Sequence, residues 1–280
     1  ENAFKSKIKP TMWDKGMEVF HAILLGWPSV VAKGGADVVM RGLREAENAA
    51  AIGMDRGASK LSGRESKRAW DEIWARKRGI TEAVLEGRHD FFQDMKDIVA
   101  GRPLKGNEPA FLGESRFGTA IEGRKGEYLR NSFKMMDAIT KYAKHVARNA
   151  EIAADTRRLA MDESNRTSGE SVQNAADRMY REARRAMSDP ASNQHLLAKY
   201  DRLGTLKRAN DAANMDTMTA DLDPTAKKVN EALSAAPFQI IAPFRTVPYN
   251  LMKEGLKRTP FGIAHAAIRA AKGELSHEQF

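Results

Sequence analysis

Apolar side chains recur at intervals of three or four residues along much of the chain, as in amphipathic helices. The stretch 65–99 is a clear case, because Arg and Glu fill its opposite face. Its predicted buried stripe comprises Trp70, Ile73, Trp74, Ile80, Val84 and Phe91. Since Trp70 and Trp74 lie one turn apart, we expect them to anchor helix packing rather than to form an aromatic cage for a ligand.

The longest predicted helix covers residues 122–162. Its apolar positions form a narrow seam: Leu129, Phe133, Met136, Ile139, Ala143, Val146 and Ala150. Because alanine is common in the C-terminal half of this helix, we expect a close contact with another helix there, as in a hairpin or coiled-coil pair.

Capping signals place further helix starts downstream. Thr167 and Glu170 have the spacing of a capping box, which predicts a helix through residue 188. Its predicted buried residues are Val172, Ala176, Met179, Ala183 and Met187. Asp189-Pro190 and Asp223-Pro224 each pair an N-cap acid with a proline at the first helical position, so two more helices are predicted there, separated by a weak stretch at 215–222.

The predicted fold is all-α, an extended multi-helix bundle or set of hairpins with six or seven helices and no strand. We divide the chain into an N-terminal helical region (1–100), a loop rich in Gly and Pro (101–121), a long helical hairpin region (122–236), and a proline-rich strap with C-terminal helices (237–280). The uncharged run 19–32 is broken by Pro28 and is shorter than the ~20 residues of a spanning helix, so a buried helical hairpin is favoured over an interfacial membrane segment.

Residues 237–249, which we call the proline strap, contain Pro237, Pro243 and Pro248. Each proline fixes φ and disfavours helical geometry in the residue before it, so the strap is predicted to be extended and rigid. Its large apolar side chains, which include Phe238, Ile240, Ile241, Phe244 and Tyr249, are too many to remain in water. The strap therefore packs either on helices of its own chain or on another subunit.

The chain carries 46 basic and 37 acidic residues among 280, a net charge of +9. Because the two signs are interleaved, a solvated helix surface is the favoured interpretation, and contact with a polyanion such as DNA or anionic lipid is the alternative. The candidate polyanion contacts are Lys141, Lys144, Arg148, Lys253, Lys257 and Arg258. There is no cysteine, so disulfides and thiolate–metal sites are excluded.

Enzymatic motifs are missing from the sequence. The six histidines are scattered singly, and neither a phosphate-binding glycine loop nor a dinucleotide fingerprint occurs. Gly123 and Gly126 match the GxxG clamp of an RNA-binding module, but that module needs a sheet. We therefore predict no catalytic, cofactor-binding or metal-binding residues, and no enzyme activity.

The run IIAPFRTVPYNLMKEGLKRTPFG resembles a segment near the end of a helical module in internal virion, or ejection, proteins of tailed bacteriophages and related multi-domain phage polypeptides. Two further stretches echo that module in the same order: FHAILLGWPSVVAKG and FKMMDAITKYAKHVARNAEIA, the second containing Met136-Asp137. The first residue is Glu1, so we also expect a processed product or a segment of a longer polypeptide.

The resemblance implies a non-enzymatic virion component that forms a homo-oligomer and helps carry the genome across the host envelope. Its implied locations are the virion interior and, after infection, the host cell envelope; its implied partners are portal, tail or other ejection proteins, with DNA and membrane as further contacts. Under this hypothesis the strap docks subunits through Phe238, Pro243, Phe244, Arg245, Thr246, Pro248 and Tyr249. The alternatives are a helical DNA-binding domain of a phage replication or packaging complex and an accessory domain of a cell-wall-lytic or polymerase polypeptide.

Overall fold

The computed structural model describes residues 70–102, 121 and 123–217, together with isolated positions between 11 and 63. This described part is 84% helical, contains five helices and has no strand, which confirms the all-α prediction. The helices are α1 (Asp71–Val99), α2 (Gly123–Met161), α3 (Val172–Ser188), α4 (Gln194–Arg202) and α5 (Thr205–Asp216). A 3-10 turn, Glu163–Asn165, follows α2.

Helix α2 is the element on which the others pack. Its 39 residues span about 58 Å at 1.5 Å per residue. Helix α1 lies antiparallel along it, since Asp71 meets Arg157 near one end and Asp94 meets Lys141 further along. Helices α3 and α5 also contact α2, and α4 lies between α3 and α5. Although α1 precedes the predicted 101–121 loop and α2 follows it, the two helices pack side by side.

The backbones of α1 and α2 approach very closely at Gly79. A methyl group placed on Gly79 would lie 2.6 Å from the backbone oxygen of Asn149, 2.8 Å from the Cβ of Ala153 and 3.1 Å from the Cα of Ala150. The close helix contact predicted from the alanines of α2 is thus confirmed. This contact requires small residues in both helices, because any side chain at position 79 would overlap backbone atoms of α2.

The main apolar core lies where α2 meets α3, α4 and α5. Its buried residues are Ile152, Ala153, Ala160, Ala175, Ala176, Met179, Tyr180, Ala183, Tyr200, Leu206 and Ala209. The predicted burial of Ala176, Met179 and Ala183 is confirmed, and Val172 and Met187 pack against the same core while partly exposed.

The predicted buried stripe of α1 is wrong at its bulkiest positions. Trp70, Trp74 and Val84 are exposed, and only Phe91 among the aromatic members packs on α2, with its ring centroid 4.9 Å from that of Tyr142. The residues that α1 buries are Glu72, Arg76, Gly79, Ala83 and Ile98. The reason is the close approach at Gly79, which leaves no room for an indole between the two helices.

Two predicted helix starts are displaced. Glu170 accepts a hydrogen bond from the backbone N–H of Thr167 at 3.0 Å, as in a capping box, but the N-cap of α3 is Ser171, whose hydroxyl accepts from the N–H of Asn174. Asp189 is the C-cap residue of α3 and accepts from Ser192 N–H, so Pro190 lies in a turn and α4 begins at Gln194.

Other sequence predictions lie outside the described residues. These are the loop at 103–120, most of the apolar run 19–32, the Asp223-Pro224 helix start and the proline strap. Among the helices that the structure does describe, none combines the length and apolar composition required to cross a bilayer.

The close approach at Gly79 gives a direct stability test. We expect Gly79→Ala to lower the free energy of unfolding by ~1–3 kcal/mol, because the added methyl overpacks against backbone atoms of α2. Gly53→Ala is the matched control, since Gly53 is helical and exposed with nothing within 4 Å; it should be neutral or stabilise by up to about 1 kcal/mol. Urea unfolding followed by circular dichroism measures both, and equal midpoints for the two variants would contradict the packing described.

Glu170 supplies a prediction about pH. Hydrogen bonds from the side chain of Arg178 and from the backbone N–H of Thr167 lower the pKa of Glu170 from 4.5 to about 2. Because the folded-state pKa is lowered, this carboxylate stabilises the fold above pH 4.5, and the contribution is lost as the pH falls toward 2. Carboxyl carbon shifts in NMR should show Glu170 still ionised at pH 3, and Glu170→Gln should weaken the acid dependence of unfolding in that window. A midpoint near 4.5 would contradict the contacts.

Candidate docking surface

Helix α1 carries a row of large apolar side chains on the side that faces away from α2. Trp74 is 68% exposed, Leu85 53%, Phe92 67% and Val99 74%. Their spacings of 11, 7 and 7 residues place them within about 40° of one another around the helix, and the row is about 37 Å long. We call these four residues the α1 apolar row.

This exposure is unusual because it reverses the expected amphipathicity of the helix. α1 turns a glutamate, an arginine and a glycine toward α2 and presents two aromatic and two aliphatic side chains to solvent. Large exposed apolar side chains aligned on one helix face mark an interaction site more often than scattered single residues do. The row is therefore the strongest candidate for a functional surface in the described part of the chain.

A cleft of about 290 Å³ adjoins the Trp74 end of the row. It lies between three helices, with Trp74 and Gly79 from α1, Ala153 from α2, and Ala176 and Tyr180 from α3 among its lining residues. Small-molecule sites usually span ~300–1,000 Å³, so the cleft is at the bottom of that range and is suited to a single inserted side chain.

The charges around the cleft are already paired. Arg157 Nη2 lies 2.5 Å from Asp71 Oδ2, and Arg78 Nη1 lies 2.7 Å from Asp177 Oδ1. Burial raises the pKa of Tyr180 to about 12, so its phenol is protonated at neutral pH and donates to Asn149 Oδ1 at 3.4 Å. Because these groups offer matched charges and a neutral hydroxyl, the cleft favours an uncharged guest.

The opposite side of α1 is held by a buried charge cluster. Arg158 of α2 joins two carboxylates, since its Nη2 donates to Glu72 at 3.0 Å and its Nη1 donates to Asp155 at 3.3 Å. Asp155, only 1% exposed, also accepts from Thr205 Oγ1 at 2.6 Å and from both Nε and Nη2 of Arg208, at 3.0 and 2.7 Å. The cluster thus links α1, α2 and α5.

A second buried ion pair lies beside this cluster. Arg76 donates to Glu151 of α2, and its Nε lies 3.7 Å from a carboxylate oxygen of Glu45. Burial alone would lower the pKa of Arg76, but the two carboxylates raise it above its ordinary value. Burial also raises the pKa of Glu45, against the opposing effect of Arg76. These charges are positioned by the fold and are shielded from large ligands.

The predicted polyanion residues on α2 do not form an exposed basic patch. Lys141 is exposed, but its Nζ lies 3.3 Å from Asp94 of α1. Lys144 and Arg148 are half-buried, and burial lowers the pKa of Arg148. Polyanion contact remains a prediction.

The remaining predicted site residues lie outside the described part of the chain. They are the polyanion candidates Lys253, Lys257 and Arg258 and the docking residues Phe238, Pro243, Phe244, Arg245, Thr246, Pro248 and Tyr249. In the described ranges, no group of three or more His, Asp or Glu side chains is arranged to hold a metal ion.

The apolar row was not predicted from the sequence, although a signal for it was present. Leu85, Phe92 and Val99 are spaced by seven residues, as in a coiled-coil seam. Steps of three and four residues instead placed Trp74 in the predicted buried stripe. Sequence spacing reveals which residues share a face, but not which face the neighbouring helix covers.

The buried charge cluster predicts a large effect from a small change. Asp155→Asn should lower the free energy of unfolding by ~3–5 kcal/mol, because it removes one partner of a buried ion pair and leaves Arg158 and Arg208 undercompensated. Glu163→Gln is the control: Glu163 is 91% exposed and pairs with Arg166, so its loss should cost less than about 1 kcal/mol. Denaturant titration compares them, and an effect of Asp155→Asn no larger than the control would refute a structural role for the cluster.

No protein-family model, curated protein or solved structure matches this chain.

Proposed function

We propose that this chain is a non-enzymatic structural subunit of a tailed-bacteriophage virion, an internal or ejection protein that multimerises and helps deliver DNA through the host cell envelope. The phage assignment is supported by the resemblance of residues 240–262 to the proline-containing segment of ejection-protein modules. The multimeric role is supported independently, by the surface of α1.

The observation that carries the multimeric role is the exposed α1 apolar row. Four large apolar side chains along about 37 Å of one helix face are costly to leave in water, at roughly 25 cal/mol per Å² of apolar area. The other face of α1 packs against α2 through buried ion pairs and the Gly79 contact. Another molecule can cover the row without disturbing the α1–α2 pair, as an assembly subunit requires.

The proposed partners are further copies of the chain and neighbouring virion proteins such as portal, tail or other ejection proteins. The chain resides in the virion interior and reaches the host envelope on infection, where DNA and membrane are its further contacts. The +9 net charge suits a location beside packaged DNA, where positive charge neutralises phosphates.

Multimer formation can be tested on the purified chain. Mass photometry and sedimentation velocity, with and without lipid vesicles, should show a discrete multimer whose population rises with concentration. A monomer under every one of these conditions would overturn the proposed function.

The role of the α1 apolar row can be tested with a matched pair of substitutions. Phe92→Gln removes a large exposed ring and should weaken multimer formation at least ~10-fold, because aromatic anchors at interfaces contribute ~2 kcal/mol or more. Gln93→Ala changes the neighbouring exposed polar residue and should alter assembly by no more than ~2-fold, the effect of an ordinary surface substitution. Circular dichroism should give the same helix content for both variants. Equal assembly by both would show that the row is not an interface.

A further inference from the structure

We infer that the α1 apolar row and its adjoining cleft bind the proline strap, residues 237–249, of a second copy of this chain. This inference rests on the proposed function in supposing a multimer, and it names the surface and the segment that build it.

The α1 apolar row and the proline strap match in length. From Trp74 to Val99 the row extends about 37 Å along the helix. The sequence predicts an extended strap, and the polyproline conformation rises about 3.1 Å per residue, so the strap would extend about 37 Å from Pro237 to Tyr249. One strap is therefore long enough to cover the whole row.

The two surfaces also match in chemistry. Proline-rich segments dock on aromatic surfaces because their backbone is already ordered and loses little conformational entropy. The row presents the rings of Trp74 and Phe92, and the strap carries two phenylalanines, two isoleucines and a tyrosine, with Arg245 as its single charged residue. The cleft beside Trp74, with its charges paired, is a receptacle for one of the strap's uncharged rings.

The polar groups that flank the row suit an extended guest. Backbone carbonyls in a polyproline segment have no internal hydrogen-bond partner and must be satisfied from outside. Lys77, whose Nζ lies 4.7 Å from the centre of the Trp74 ring, and the exposed Arg88 and Lys96 supply donors along the helix. Donors beside apolar rings are the combination that recognises such a segment.

The occupant is assigned to a second copy because the proposed function requires contacts between subunits, and because the area that exchanged straps would bury is that of a stable dimer. One row about 37 Å long and ~10–12 Å wide buries roughly 400 Å² on each side, half of the ~800 Å² per partner of a standard stable interface. If two copies exchange straps with each other, each buries roughly 800 Å² against its partner, which reaches that size.

The absence of native cysteine allows the contact to be mapped by cross-linking. We would prepare Gln93→Cys, next to Phe92, and Ala242→Cys, next to Pro243, so that no predicted anchor ring is lost; the two variants are mixed and treated with a short bis-maleimide, which tolerates small differences in register. We expect several-fold more heterodimer than with Lys207→Cys and Ala242→Cys, since Lys207 lies exposed on α5. Mass photometry before cross-linking verifies that each variant still assembles.

Any other result contradicts the inference, and each one indicates a different arrangement. Gln93→Cys linking mainly to itself would place two α1 helices together. A Gln93→Cys/Ala242→Cys double variant that links only within one chain would assign the strap to its own helix. Intact multimers without a cross-link would refute the strap contact while leaving the proposed function standing, whereas a chain that never assembles would refute both.

A peptide experiment avoids any effect of substitutions on folding. A synthetic peptide of residues 237–249 should bind the intact chain saturably and dissociate its multimers, and the same peptide with Phe244→Ser should be several-fold weaker. No competition by the unmodified peptide at concentrations that exceed the chain's own would overturn the inference.

Discussion

The close approach of α1 to α2 at Gly79 is the constraint on which the rest of the described structure depends. With the backbone oxygen of Asn149 only 2.6 Å from where a Cβ would be, no other residue fits position 79 without moving a helix. At this point the two helices leave no room for an indole ring between them, although the Phe91 ring packs on Tyr142 further along. The tryptophans that would fill an ordinary helix interface therefore turn outward. The exposed apolar row and the buried polar face of α1 are two results of the same geometry.

Near Gly79 the buried face of α1 carries charged side chains, and the pairing of these charges fixes how the two helices align. Glu72, Arg76, Glu151, Asp155 and Arg158 are each compensated by a partner on another helix. Buried pairs add little net stability because desolvation offsets most of their attraction. Any other register, however, would leave a buried charge unpaired, at a cost of several kcal/mol. The cluster thus selects one alignment of α1 on α2, and that alignment decides where the apolar row points.

The remaining core is dominated by alanine, with Met179, Tyr180 and Tyr200 as its larger members. Alanine loses no side-chain entropy on folding but buries little apolar area, so each helix contact contributes modestly. A fold of this kind gains from association, because an interface adds apolar burial that the single chain lacks. This agrees with the proposed assembly role, in which the α1–α2 pair presents a surface and the strap is proposed to supply the complementary segment.

The sequence by itself determined that the chain is helical, and it placed the long helix within a residue of its observed ends: 122–162 was predicted and Gly123–Met161 is observed. Helical periodicity, alanine content and capping residues are local properties, and they suffice for helix type, for the end of α1 at Val99 and for the close contact in the alanine-containing half of α2. They also misplaced the starts of α3 and α4, because several residues near each start can cap and only packing selects among them.

Only the tertiary structure decided which face of α1 is buried. The sequence offers two faces, one with Trp74, Leu85, Phe92 and Val99 and another with Glu72, Arg76, Gly79 and Ala83, and hydrophobicity favours burying the first. The second is buried because residues far away in the chain, among them Ala150, Glu151, Ala153 and Arg158, provide the room and the countercharges for it. Whether two distant segments are complementary depends on both of them. No pattern within α1 alone could therefore have shown which of its faces is buried.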